Sequence, residues 1–195
     1  MAQERYSSSS QATGFSLVEV LIAMGLLTAV SLGVAQLFAL SGRATFVARG
    51  QTSATALAEQ KMEQLRALTW GFDTDGQGLP LSDTSTDLAV DPASATGAGL
   101  NPSPSNSLEV NTPGYVDFLD AHGTYVGTGA TAPGSAAFIR RWAVRPLPTN
   151  PNNTLVLQVL VTPVSNEGSR VPTGDPRRRM PGDALLLSVK TRKAQ

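Results

Sequence analysis

The chain has no cysteine and a single histidine. The first absence removes disulfides, a lipid-modified cysteine, iron–sulfur ligation and thiol nucleophiles. Together the two leave no nucleophilic triad of the usual types to assemble. A Gly-x-Ser-x-Gly elbow, a phosphate-binding loop and a histidine-based metal motif are missing as well. The lone His122 falls in a turn-like stretch, DAHG, where exposure to solvent is the expectation. Charge is scarce, at 15% of residues. Proline is missing from residues 1–78, so nothing there kinks a helix by the proline route. All 13 prolines come later. Neither an enzyme nor a cofactor is expected from this inventory.

The charge that is present is unevenly placed. Residues 15–112 hold four basic and nine acidic side chains, a balance of −5, and residues 113–195 hold ten and five, a balance of +5. Such asymmetry suits head-to-tail contacts between copies, although any solvated surface needs charges somewhere. Residues 20–40 carry none: 21 positions, predominantly apolar. A helix of about 20 apolar residues spans a bilayer core. Thr28, Ser31 and Gln36 interrupt the run, and a threonine or serine hydroxyl there can bond back to its own helix. Gly25 and Gly33 allow close helix approach. One carboxylate, Glu19, stands at the start of the run. A charge at bilayer depth costs roughly 2.5 kcal/mol or more, so Glu19 needs either a partner or a position at the interface.

The stretch GFSLVEVLIAMGLL, residues 14–27, resembles the leader junction of type IV pilins and of type II secretion pseudopilins. The resemblance implies cleavage by a prepilin peptidase after Gly14, N-methylation of the new first residue Phe15, and an assembly role for Glu19. Phe15 and Glu19 are i and i+4, which on a helix is one face, one turn apart. The amine created at Phe15 is then a partner for the Glu19 carboxylate of a neighbouring copy. A secretory signal cut after Ser41 is the competing reading of the same segment, since ALS at 39–41 is a small-residue site.

Residues 43–70 place Val47, Ala54, Leu57, Ala58, Met62, Leu65 and Leu68 at helical steps. One long helix is expected from Ser16 to about Leu68, softened at Gly42 and Gly50. AEQKMEQLRAL within it resembles the same region of PilV-type minor pilins. Residues 71–112 read as turns and loops. The DTDGQG there, with Asp73 and Asp75, resembles the start of a calcium loop but has no glutamate at the distance an EF-hand requires, so a solvated turn is preferred. Strands are expected at 115–119, 124–126, 137–144, 154–161 and 184–191, the last three as an antiparallel meander on the helix. In FIRRWAV, alternation puts Phe138, Arg140, Trp142 and Val144 on one face. Arg177, Arg178 and Arg179, with Arg140, Arg141, Arg145 and Arg170, make a basic set suited to phosphates. No aromatic stacking pattern accompanies them, so DNA is disfavoured as a partner.

The expected fold class is α+β: a long N-terminal transmembrane helix with a small antiparallel head, pilin-like in the resemblance. The domains are a leader at 1–14, a membrane half at 15–40, an amphipathic half at 41–69 and a loop-rich head at 70–195. The resemblance implies an inner-membrane protein with its head outside the cytoplasm. Its partners would be other pilin or pseudopilin subunits, the peptidase, the inner-membrane assembly platform and lipid. A secreted or membrane-anchored binding protein for DNA or a surface is the alternative from another class.

Overall fold

The structure, a computed structural model, describes residues 14–73, 77–169 and 179–192. Its elements are α1 (Leu17–Ala67), β1 (Trp70–Phe72), β2 (Pro80–Ser82), β3 (Val116–Leu119), β4 (Tyr125–Gly127), β5 (Phe138–Pro146), β6 (Thr154–Pro163), α2 (Val164–Glu167) and β7 (Ala184–Thr191). The class is α+β, as expected. The chain divides into two compact units, Met1–Thr45 and Phe46–Gln195.

Helix α1 starts and stops within a residue or so of the sequence expectation, and Gly42 and Gly50 do not interrupt it. Glycine in a helix interior costs about 1 kcal/mol, which strong helix formers on both sides absorb. Threonine hydroxyls are satisfied within the helix. Thr28 Oγ1 donates to Met24 O (3.0 Å), and Thr45, Thr52 and Thr55 make the same bond one turn back. In the second unit α1 buries Ala54, Ala58, Lys61, Met62 and Leu65. The apolar members of that stripe were expected; Lys61 was not. It sits at i+7 from Ala54 and i+3 from Ala58, on the buried face.

The strands form a two-stranded sheet, β1–β2, and a five-stranded antiparallel sheet ordered β4-β3-β5-β6-β7. The meander of the last three strands is present as predicted. Alternation along β5 also holds. Phe138, Trp142 and Val144 share a core with Ala54, Ala58, Met62 and Leu65 of α1 and with Leu155, Leu157 and Val159 of β6. The other face is covered too. Leu108 packs on Ala143 and Leu160, while Val116, Phe118 and Ile139 collect Val126, Ala132 and Val164.

Three features depart from the sequence expectation. Residues 71–112 are more than loop: they supply β1 and β2 and send Leu88, Ala89, Leu100 and Leu108 into the cores. The segment folds back tightly, with Gly97 N donating to Ser85 O (2.5 Å) and Leu100 N to Asp83 O (2.8 Å). A Cβ at Gly97 would stand 2.2 Å from Asp87 Cα, so only glycine fits. A short helix, α2, follows β6 where turns alone were expected. And Arg140 and Arg141, assigned to a phosphate-binding set, are buried inside the fold.

Arg140 makes a bidentate pair with Asp117, Nε to Oδ1 (2.9 Å) and Nη2 to Oδ2 (2.8 Å). Its Nη1 reaches α1, donating to Leu57 O (3.1 Å) and Gln60 Oε1 (3.0 Å). Lys61 of α1 meets the same carboxylate at 2.9 Å, donates to Leu88 O at 2.5 Å, and lies 4.6 Å from the centre of the Trp142 ring. One buried anion thus serves two buried cations. On the other face Arg141 pairs with Glu167 of α2 and donates to Asn111 Oδ1 (2.8 Å).

Burial lowers the Lys61 ammonium from its ordinary 10.5 to about 8, and the neighbouring Arg140 adds to the effect; Asp117 and Asp91 oppose it. Between pH 8 and 10.5 the unfolded chain therefore holds the Lys61 proton that the folded chain has released. Stability from this group rises with pH across that window. A fragment beginning at Thr52 keeps every buried residue of α1 and should fold. In urea titrations of it, Asp117→Asn should cost about 3–5 kcal/mol, because two buried cations lose their anion. Lys61→Met leaves the Arg140–Asp117 pair whole and orphans only Leu88 O, so its cost should stay below about 3 kcal/mol. The difference between wild type and Lys61→Met should move in favour of wild type from pH 8 to 10. Equal costs for the two substitutions would contradict the shared-anion arrangement.

Candidate functional site

The N-terminal segment is built around one transition, from extended chain to helix. Gly14, Phe15 and Ser16 precede α1, and the Ser16 carbonyl accepts the first helical bond, from Val20 N (3.2 Å). Ser16 is therefore the N-cap residue and Glu19 stands at N3. Ser-x-x-Glu is the capping-box pattern, which satisfies otherwise orphaned N–H groups at a helix start. A carboxylate in the first turn also faces the positive end of the helix dipole. This arrangement corrects one expectation. Phe15 lies outside the helix, so Phe15 and Glu19 do not share a helical face in the uncut chain. The reason is local: the first helical bond is accepted by the Ser16 carbonyl, which leaves Phe15 one residue before the N-cap position.

Beyond Glu19 the helix exposes apolar side chains all round. Leu21, Ile22, Leu26, Leu27, Leu37 and Phe38 are each 59–73% exposed. Among the described residues α1 is the one helix long and apolar enough to cross a membrane, and none of its apolar window is buried. The 21 uncharged positions rise about 32 Å at 1.5 Å each, against a hydrocarbon core of about 30 Å. Thr28 brings no unmet donor into this span, since its hydroxyl is bonded within the helix. A Cβ at Gly14, Gly25 or Gly33 would meet nothing within 4 Å. These glycines serve no packing need inside the chain itself.

The remaining sequence candidates separate. Arg179 is exposed, while Arg170, Arg177 and Arg178 lie outside the described residues, as does Asp75. Arg145 donates to Ser105 O (2.5 Å). Arg140 and Arg141 are buried, at 4% and 1% exposure, so neither offers its guanidinium to a phosphate at the surface. Asp73 follows β1, and its Oδ1 accepts from Leu79 N (3.2 Å), just before β2. Asp83 is spent on its own turn, accepting from Ser85 N, Thr86 N and Thr86 Oγ1. Those bonds, led by the Thr86 hydroxyl, hold its carboxyl below the ordinary range. Among the described residues no group of three His, Cys, Asp or Glu stands close enough to hold a metal. His122 is exposed in the β3–β4 turn, 3.8 Å from Asp120. A cleft of about 350 Å³ between β1, β2 and residues 146–155 has Trp70, Pro102 and Arg192 in its walls, and holds no acid–base pair.

Sequence reasoning found the junction and the span but did not note the Ser-x-x-Glu spacing at 16–19, the pattern of a capping box. Residues 9–35 match the family described as the prokaryotic N-terminal methylation motif. The match takes in Gly14, Phe15, Glu19 and the first part of α1. No curated protein matches the chain, and no solved structure does. The motif supports a type IV pilin-like family, a structural rather than a catalytic one.

Calcium addition or EDTA should leave the melting temperature of the Thr52 fragment unchanged, because Asp73 and Asp83 already have hydrogen-bonded roles. A rise of several degrees with calcium would overturn that assignment.

Proposed function

We propose that this chain is a structural subunit of a type IV pilus, made as a prepilin, cut after Gly14 and methylated at Phe15, then drawn from the inner membrane into a helical fibre. The observation that carries the proposal is the methylation motif over residues 9–35, within which begins a helix that exposes apolar side chains all round. A minor, PilV-type subunit is the form favoured by the long irregular stretch between β2 and β3 and by AEQKMEQLRAL. A pseudopilin of a type II secretion system shares the motif and is the second reading. Domain roles follow: 1–14 as leader, 15–40 as the membrane and later fibre-core segment, 41–69 as the bridge into the head, and 70–195 as the head.

In this reading Glu19 does two jobs in sequence. At the helix start its place in Ser-x-x-Glu, in the first turn, suits it to cap. In the fibre it neutralises the amine at Phe15 of a neighbouring subunit. Paired charges cost far less in an apolar surrounding than either alone.

Co-expression with a prepilin peptidase should yield a mature chain that starts at N-methyl-Phe15 by intact mass. A chain that starts at Gly42 would refute the prepilin reading. Gly14→Val should accumulate precursor, and since a Cβ there meets no atom of the chain, the block would lie in access for the peptidase. Glu19→Ala and Glu19→Gln separate the two jobs. Glutamine keeps the capping geometry and removes only the charge. Both variants should insert and be cleaved normally, and both should be lost from sheared fibres. If Glu19→Gln enters fibres as well as wild type while Glu19→Ala does not, the cap is the whole role of Glu19.

A further inference from the structure

Four positions in the apolar part of α1 stand on one face. Gly25, Ala29 and Gly33 are four residues apart, and Gln36 follows three further on. Steps of three and four stay on one side of a helix. The first three residues form a small-xxx-small pattern, which lets two helix backbones approach closely in lipid. The chain itself makes no use of that room, since a Cβ at Gly25 or Gly33 would meet nothing within 4 Å.

Gln36 brings an unmet polar group to that face. Among the described residues its amide has no hydrogen-bond partner, whereas the Thr28 hydroxyl bonds its own helix. Gln36 lies inside the uncharged span, seven residues or about 10 Å short of Arg43. Side chains on a helix tilt toward its N-terminus. This one therefore runs from its Cα toward Gly33, deeper into the span and away from the nearer end. An amide held away from water is costly without a partner. A primary amide is donor and acceptor at once, so a second Gln36 satisfies it on both counts. Copies in one membrane point the same way, and a two-fold axis along the membrane normal sets each residue level with its twin. Gly33 then lets the backbones close up, and the two amides exchange bonds beside it. Such an isologous contact closes at two copies.

We propose that the chain is held in the membrane as a parallel dimer, joined through Gly25, Ala29, Gly33 and the paired Gln36 amides, and that the dimer parts before its subunits enter the fibre. The parting follows from height. The dimer sets two copies level, whereas the fibre contact sets Glu19 of one copy beside the Phe15 amine of another, four residues away along the chain. One pair of copies cannot do both. The proposal rests on the prepilin reading for the place of α1 in the membrane.

The chain has no cysteine, so single cysteines report on the contact in the full-length protein in its membrane. Ala29→Cys places a thiol in the seam, and Ser31→Cys places one about 200° round the helix. Both would be oxidised in membranes of cells that lack the fibre-assembly machinery. Ala29→Cys should run as a dimer of this chain at severalfold the yield of Ser31→Cys. Added to Ala29→Cys, Gln36→Leu and Gly33→Leu should each lower that yield severalfold. No dimer, or equal yields from the two cysteines, overturns the proposal. A cross-linked species with the mass of another protein overturns the choice of a second copy, and a yield unmoved by Gln36→Leu overturns the amide pairing. Cross-linked before the machinery is induced, the dimer should stay out of sheared fibres and enter them after reduction; entry while cross-linked overturns the parting. The same fibres keep the readings apart. Ala29→Cys found in fibres without a membrane dimer defeats the dimer and spares the fibre reading; a membrane dimer from a chain that never enters fibres does the reverse.

Discussion

Everything about the second unit hangs on one carboxylate. Asp117, on β3, is 1% exposed and answers two cations, Lys61 from α1 and Arg140 from β5. Apolar burial holds a helix against a sheet but does not choose its rotation or height, because the hydrophobic effect has no direction. A bidentate guanidinium and a buried ammonium do choose. The Arg140 fork lies flat on Asp117, its remaining nitrogen bonds Leu57 O and Gln60, and Lys61 bonds Leu88 O. These bonds tie α1, β3, β5 and the returning 83–100 segment at a single point. Two cations share that one anion, and burial, more than the nearness of Arg140, is what lowers the Lys61 ammonium to about 8.

The two parts of α1 face opposite problems. From residue 46 on, the helix buries one stripe and shows Glu59, Glu63 and Arg66 to solvent. Before it, large apolar side chains project in every direction, and among the described residues none covers them. At about 25 cal/mol per Å² of apolar surface, such a segment is not left in water. In the proposed function its cover changes from lipid to other helices. Both surroundings lack water, so the exchange needs no change in the segment itself. Small residues at 25 and 33 then matter for contacts that the single chain does not make.

Much of this was legible in the sequence because the periods are clean. The meander of β5, β6 and β7 follows from alternation in three runs of branched and aromatic residues, and α1 follows from composition and the absence of proline. The failures have physical causes. Lys61 was left out of the apolar stripe because only apolar residues were counted, although its spacing from Ala54, Ala58 and Leu65 puts it on the buried face. Arg140 and Arg141 were grouped with a distant arginine run. Adjacent residues on a strand point to opposite faces, and here both faces are covered, so each arginine is buried against a different acid. Leu88, Leu100 and Leu108 escaped notice because isolated apolar residues among Gly, Ser, Asp and Pro show no period. Strands β1 and β2 carry a glycine and a proline, poor strand formers. They are held from outside by Arg192, stacked 3.6 Å from the Trp70 ring and bonded to Gly71 O and Ser82 Oγ.

A fibre built by the apolar part of α1 alone would be under-determined. Apolar helices pack without a strong preference for axial offset, and a run of similar side chains tolerates a slip by one turn. A directional contact removes that freedom on the proposed reading. It is a charge pair at the helix start, available only when a neighbour's amine stands level with Glu19. A subunit that makes the pair has one height at which to sit, whereas a chain with the same apolar helix and no Glu19 has nothing to mark that height and is lost from the fibre.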